Sequence, residues 1–149
     1  MGQCPALRRL AAEHGRAIEA ARRFRQAAEA SDGPFADLEE ETQRFLRVWR
    51  QVVVPHYRKE EEVLLPDLAR RVPEGDAMIL LPLADHVALR RLVREIERGP
   101  DARRRQLAAE IGERLAEHVR FEEETLYPAL EETLGRSRLA ELAGELARV

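Results

Sequence analysis

The sequence is poor in cysteine, lysine and aromatic residues, and it has no long hydrophobic run. Cys4 is the only cysteine among 149 residues, which excludes an intrachain disulfide and argues against thiolate metal sites or clusters. Aromatic residues make up 5% of the chain, so no aromatic platform for nucleic-acid bases is visible. No apolar run approaches the roughly 18 residues that a membrane-spanning helix needs.

An excess of charge of one sign is also missing. The net charge is −3 although 36% of the residues are charged, and acidic residues flank the short arginine runs. This interleaving is typical of solvated helix faces rather than of a nucleic-acid interface. We therefore expect neither a nucleic-acid nor a membrane partner, and we expect a cytoplasmic location, with Cys4 as a thiol in a frayed N-terminus.

The residues that dominate instead are Ala, Leu, Arg and Glu, which favour helix. Turn signals rich in Gly and Pro divide the chain into helical segments, and Pro55 predicts a kink within the second. The segments cover about residues 4–30, 35–72, 76–98, 101–134 and, after Gly135, 137–148. Short connections between long helices favour antiparallel neighbours. We predict one all-α domain, 1–149: an up-down-up-down four-helix bundle over about 5–132 with a short extra C-terminal helix over about 137–148.

The sequence also repeats itself. The thirteen residues from His56 to Leu68 match those from His118 to Leu130 without a gap, and eight of the thirteen are identical. Each copy follows a segment that carries an acidic residue directly before a histidine, Glu13-His14 and Asp85-His86. The repeat predicts two helical hairpins of similar plan, related by an approximate twofold axis.

All four histidines of the chain belong to this repeat, one in each long segment. In both copies a glutamate follows the histidine by four residues, which places the two side chains on one face of a helix. The other two histidines continue apolar stripes of helical spacing. Six side chains are therefore predicted to point into one bundle interior: His14, His56, Glu60, His86, His118 and Glu122.

Two buried carboxylates cost several kcal/mol unless charge compensates them, and neutral imidazoles cannot do so. Two divalent cations can compensate this charge. The nitrogen and oxygen donors of the six side chains suit iron, manganese or zinc. The symmetry predicts that His14 and His56 bind one ion and His86 and His118 the other. Glu60 and Glu122 would bridge the ions. With an oxo or hydroxo bridge, each ion would keep one open position for a small molecule.

Simpler interpretations exist for each motif taken alone. A single inward histidine is more often core filler, and a single His-x-x-x-Glu is often a surface pair. We expect Glu61, Glu62, Glu123 and Glu124 to face solvent or to form salt bridges, and Glu13 and Asp85 to form salt bridges or to contact ligand histidines. We expect Tyr57 and Tyr127 to pack at the bundle rim rather than to supply a ligand.

The sequence resembles the hemerythrin-like, or HHE cation-binding, family. The resemblance spans roughly residues 5 to 132 and rests on the six residues named above together with the Leu-x-Pro elements that follow. It implies a four-helix bundle around a non-haem di-iron centre, with those six residues as ligands. The oxygen-carrying hemerythrins have a further histidine where this chain has Arg90, and an aspartate five residues after the last histidine, where Glu122 follows His118 by four.

With four histidines instead of five, the pattern looks more like the bacterial and sensor-type members than the oxygen carriers. Those members are associated with oxygen, nitric oxide, peroxide or iron handling. The resemblance implies a protein that binds or senses such a small molecule at the metal pair. The alternatives are an enzyme that disproportionates peroxide or reduces nitric oxide, and an iron donor for the repair of iron centres. A protein partner or a homodimer stays open.

Overall fold

A computed structural model of the chain describes residues 4–30 and 35–149, and the predicted turn at 31–34 lies outside them. Within the described residues, four long helices dominate and no strand forms. Helix 1 is Pro5–Glu29, helix 2 covers residues 35–69, helix 3 is Ala77–Arg98, and helix 4 covers residues 104–134 after a 3₁₀ turn, Asp101–Arg103. The all-α prediction is therefore confirmed.

Helices 2 and 4 contain π-helical turns, in which the backbone N–H groups reach back five residues instead of four. The turns are Trp49–Val53 and Glu60–Leu64 in helix 2 and Glu122–Leu126 in helix 4. Each is followed by a proline at the second position of the next α-helical stretch, namely Pro55, Pro66 and Pro128. Because proline lacks an N–H and clashes with the carbonyl four residues earlier, the extra residue of a π turn absorbs the mismatch. The irregularity predicted at Pro55 is therefore a π turn within a continuous helix.

The apolar core is divided into two clusters, one at each end of the bundle. The first cluster contains Phe24 from late helix 1, Trp49 from helix 2, Leu92 from late helix 3 and Ile111 from early helix 4. The second cluster contains the opposite ends of the same helices; its members include Leu7, Leu64 and Leu130, with Leu83 packed against them. Consecutive helices therefore run in opposite directions, which is the predicted up-down-up-down order.

A C-terminal helix over residues 136–146 closes the second end of the bundle. Gly135 has φ +77°, a left-handed conformation that side chains other than glycine's rarely adopt, and it separates this helix from helix 4 as predicted. Leu139, Leu142 and Leu146 join the second core cluster. The guanidinium of Arg138 holds both carboxylate oxygens of Asp67 in helix 2, at 3.0 and 2.8 Å.

The expectation for Cys4 was wrong. Its side chain is buried in the second core cluster, beneath the C-terminal helix, and is only 4% exposed. Its backbone N–H donates to the carboxylate of Glu131. Tertiary packing of Cys4 and the hydrogen bond to Glu131 therefore hold the start of helix 1 in place. Among the helices that the structure describes, none is long and apolar enough to cross a membrane.

Candidate metal centre

The six predicted side chains meet in one layer between the two apolar clusters. Each is at most 5% exposed, and both glutamates are fully buried. They form two overlapping sets in which the ligand atoms all lie within 4.8 Å of one another. One set is His14, His56, Glu60 and Glu122, and the other is Glu60, His86, His118 and Glu122. The two glutamates are shared between the sets.

Each shared glutamate directs one oxygen towards each set. The Oε1 atom of Glu60 lies 3.3 Å from Nε2 of His56, and its Oε2 atom lies 3.3 Å from Nε2 of His86. The Oε1 atom of Glu122 lies 2.9 Å from Nε2 of His118, and its Oε2 atom lies 3.0 Å from Nε2 of His14. Both carboxylates therefore span the two histidine pairs, which is the disposition that a bridging ligand requires.

Several polar atoms at the centre of this layer are buried and lie close to one another, yet they have no partner in hydrogen-bond geometry. Among the described residues they include both oxygens of Glu122, Oε2 of Glu60 and the Nε2 atoms of His86 and His118. Buried polar atoms are rarely left unpaired in folded proteins, and such a cluster needs an explanation. Convergent nitrogen and oxygen lone pairs fit a divalent transition metal, because its positive charge and its coordination bonds satisfy them together.

The layer's electrostatics follow from burial of two carboxylates among four imidazoles. Burial alone would raise the pKa of Glu122, but the surrounding histidines outweigh it and hold that pKa well below its ordinary value. Burial likewise opposes protonation of His118, yet Asp85 and Glu122 raise the pKa of this imidazole to about 9. Without a metal, the raised pKa values of His56, His86 and His118 favour their protonated forms, which balance the glutamates, and a cation would replace those protons.

A second layer of carboxylates contacts the outer nitrogens of the same imidazoles. Nδ1 of His56 lies 2.9 Å from Glu13, and Nδ1 of His118 lies 3.5 Å from Asp85. Salt bridges or contacts with ligand histidines were expected for Glu13 and Asp85, but the sequence did not assign them to particular histidines. A carboxylate on Nδ1 fixes the ring's orientation and leaves the lone pair of Nε2 directed inward.

The remaining two contacts agree with the expectation that the glutamate runs face solvent or form salt bridges, and they add histidine partners that the sequence did not specify. Glu61 lies 2.8 Å from Nδ1 of His86, and Glu123 lies 2.8 Å from Nδ1 of His14. Glu61 also pairs with Arg90, as a salt-bridging residue should. His14, His56 and His86 thus each have a carboxylate from a neighbouring helix within hydrogen-bond distance of Nδ1, whereas the 3.5 Å contact of His118 with Asp85 lacks hydrogen-bond geometry. The signal was present in the repeat, since both copies place a second glutamate directly after the inward one.

The two tyrosines were wrongly expected at the bundle rim. Both are buried, and both contact the site. The hydroxyl of Tyr127 donates to Oε1 of Glu60 at 3.0 Å and lies 3.3 Å from Nε2 of His14. The ring of Tyr57 stacks on that of His86, with centroids 3.7 Å apart. Burial and the nearby glutamates raise the pKa of both tyrosines well above the ordinary value, which keeps the phenols protonated.

A cavity of about 10 Å³ adjoins the layer on the side of the first core cluster. His14, His56 and His118 and the carboxyl-bearing Glu13 and Glu122 border it, and apolar side chains such as Ala17 and Val119 also line it. A volume of this order accommodates about one water-sized molecule. The cavity therefore places a space for one very small molecule against the candidate ligands.

Comparison with known proteins gives a family match. The model of the hemerythrin HHE cation-binding domain matches residues 5–130 and, separately, residues 83–148. The second match begins within helix 3, two residues before Asp85-His86. No curated protein and no solved structure matches the chain. The match covers most of the chain, and the chain therefore belongs to the hemerythrin family, whose domain is the HHE cation-binding domain.

Proposed function

We propose that the chain binds two metal ions, preferentially iron, in the layer between its two core clusters. His14 and His56 would hold one ion, His86 and His118 the other, and both glutamates would bridge them. The observation that carries this proposal is the pair of overlapping ligand sets that share Glu60 and Glu122. An oxo or hydroxo bridge is part of the proposal, and manganese and zinc suit the same donors.

Charge supports metal binding over core filler. If the histidines only filled the core, apolar residues of similar volume would avoid the cost of desolvating two carboxylates. Instead, three of the four imidazoles hydrogen-bond a carboxylate through their outer nitrogen, which is the usual support of a metal-ligating histidine. Carboxylates at the outer nitrogens would give no comparable benefit to histidines that only fill the core.

We further propose that a small molecule, such as oxygen, nitric oxide or peroxide, binds on the side of the His14 and His56 pair. Two irons, when bound, would supply an open coordination position and reversible electron transfer. The protein's own contribution would be the cavity of about 10 Å³ beside these histidines, whose apolar lining excludes bulk water and larger ligands. Binding or sensing of a small molecule is the function that this arrangement favours.

Peroxide disproportionation is the second candidate, because one observation favours it. Tyr127 keeps its proton and directs its hydroxyl towards Glu60 and His14, so a hydrogen-bond donor lies next to His14, which borders the cavity. General acid catalysis requires such a donor within hydrogen-bond reach of the reacting group. A turnover rate for hydrogen peroxide no greater than that of free iron would exclude this enzyme activity. Iron donation requires labile metal, and transfer to an apo acceptor would test it.

The first experiment is metal analysis of the purified protein together with its visible absorption spectrum. We expect about two irons per chain and an absorption band of an oxo-bridged pair. We also expect chelation to lower the melting temperature, because a ligand that binds only the folded state stabilises it. Absence of stoichiometric metal after reconstitution with ferrous iron would refute the proposal, and so would a melting temperature that chelation leaves unchanged.

A further inference from the structure

A second, larger pocket lies between the start of helix 1 and the C-terminal helix. Its volume is about 280 Å³, close to the lower end of small-molecule sites. Its apolar wall includes Leu10, Ala143 and Leu146, and its charged wall consists of Arg9, Glu13 and Lys59. The C-terminal helix that follows Gly135 forms one side, so the pocket exists only because that helix folds back over helix 1.

The charged wall has an unbalanced positive charge. Glu13 neutralises Lys59, the only lysine of the chain, through a contact of 2.6 Å between Oε1 and Nζ. An ammonium group has three N–H donors, and this contact uses one of them. Arg9 is exposed and forms no hydrogen bond or ion pair with the rest of the described chain. The pocket therefore offers an unpaired guanidinium and a partly free ammonium beside an apolar surface.

We propose that this pocket binds a free medium-chain carboxylate. The single negative charge of the head group matches the excess positive charge, and Arg9 and Lys59 would donate charge-assisted hydrogen bonds to it. The alkyl chain would cover Leu10 and Leu146, where its burial is favourable. A polyanion fits less well, because Glu13 would repel additional negative charge.

Occupancy of the pocket would affect the candidate metal centre through Glu13. This carboxylate contacts Lys59 with one oxygen and Nδ1 of His56 with the other, the latter at 2.9 Å. It also lines the small cavity beside the histidines. A bound carboxylate competes with Glu13 for Lys59 and so changes the hydrogen bond that orients His56. Binding itself uses none of the six candidate ligands and requires no metal.

Isothermal titration of the full chain with octanoate tests this inference, in metal-free and iron-loaded protein. We expect saturable binding in both, with weaker binding of acetate, which lacks the chain, and of the neutral alcohol of equal chain length. Arg9→Gln and Lys59→Gln should each weaken octanoate binding by about tenfold or more, because a charge-assisted hydrogen bond is lost. Arg98→Gln, at an exposed arginine outside the pocket, is the matched control and should change nothing.

Chemical shifts in the metal-free protein provide a second readout. Octanoate should move the imidazole resonances of His56 and leave those of His86 unchanged. Absence of saturable binding, or binding that both Arg9→Gln and Lys59→Gln leave intact, would overturn the inference. Arg9 is exposed, so its variant remains informative even if Lys59→Gln perturbs folding. Octanoate binding to a chain that takes up no metal would support the pocket while refuting the metal proposal.

Discussion

The two helical hairpins share their ligand plan and differ in the side chains around it. Ala17 follows His14 by three residues as Leu89 follows His86, and Val119 follows His118 as Tyr57 follows His56. Ala17 and Val119 line the small cavity. At the equivalent positions, Leu89 of the second hairpin and Tyr57 of the first are buried, and the ring of Tyr57 stacks on His86 and also borders the cavity. The ligand set is thus nearly symmetric, while the side chains around it are not.

The repeat supplies the same donors twice, as two similar ion sites would require. Ala17 of the first hairpin and Val119 of the second border the cavity, whereas the larger Leu89 stands at the position equivalent to Ala17. If two ions bind as proposed, this difference would give them different access to a small molecule. Tyr127 adds to the asymmetry, since its hydroxyl reaches His14 and Glu60, whereas Leu65 occupies the same place in the first copy of the repeat.

The largest expected effect comes from removing what the two halves share. Glu60→Ala or Glu122→Ala should abolish stoichiometric binding of both ions, because each carboxylate directs oxygens to both histidine pairs. Glu61→Ala and Glu123→Ala should lower metal affinity by only about 10- to 100-fold, the typical cost of losing an orienting partner. Metal content per chain measures both effects, and the exposed Glu62→Ala is the control. Equal losses for Glu60→Ala and Glu61→Ala would contradict the assigned roles.

Exchanging the side chains at the equivalent positions 17 and 89 tests where the small molecule binds. Ala17→Leu should fill the cavity and weaken nitric oxide binding to the ferrous protein by about tenfold or more, with metal content retained. Overpacking should cost about 1–3 kcal/mol of stability. Leu89→Ala should instead cost about 2–5 kcal/mol and open space at the position equivalent to Ala17. Nitric oxide titrations followed by absorption measure the binding, and unchanged affinity in Ala17→Leu would show that the ligand enters elsewhere.

A third prediction concerns the protonation of the histidines in the metal-free protein. The pKa is raised in both hairpins, at His56 in the first and at His118 in the second. The folded pKa of His118 is about 9, above its ordinary 6.5. The stabilisation from its protonation is therefore fully present below pH 6.5 and is lost as the pH rises through about 9. Metal-free protein should thus become less stable between pH 7 and pH 9.

Metal uptake should show the opposite trend over the same range. Because the ion must displace the proton on His118, affinity should rise by up to about tenfold per pH unit below pH 9. Titration with Mn²⁺, which avoids iron oxidation, in buffers of different protonation enthalpy measures the protons released. Glu124→Ala, at an exposed residue, should keep the same slope. A flat dependence of affinity on pH would contradict the protonated metal-free site.

The smallest effect separates the two tyrosines. Tyr127→Phe removes a hydrogen bond to the buried Glu60 and should destabilise the metal-free protein by about 1–3 kcal/mol. The hydroxyl of Tyr57 is buried without a partner, so Tyr57→Phe should be neutral or slightly stabilising. Chemical denaturation at fixed pH distinguishes them. Equal destabilisation by both substitutions would mean that the hydroxyl of Tyr57 is paired after all.

The position of Tyr127 explains part of what sequence periodicity missed. In a regular α-helix, a residue five positions after Glu122 is rotated by about 140° from it, away from the site. The backbone N–H of Tyr127 instead donates to the carbonyl of Glu122, a π-helical contact that aligns the two residues along the helix. The expectation that Tyr127 packs at the bundle rim assumed a regular α-helix. The additional residue in the π-helical turn directs Tyr127 into the site instead.

By itself, the sequence determined the helical bundle, the break at Gly135 and the six inward residues. These depend on local rules: the spacing of apolar residues, the conformational freedom of glycine and the four-residue interval that places two side chains on one helix face. Only the tertiary structure decided which carboxylate orients which histidine and where the cavity lies. Those contacts join different helices, so they depend on how the helices pack and on π turns that intervals counted along one chain do not reveal.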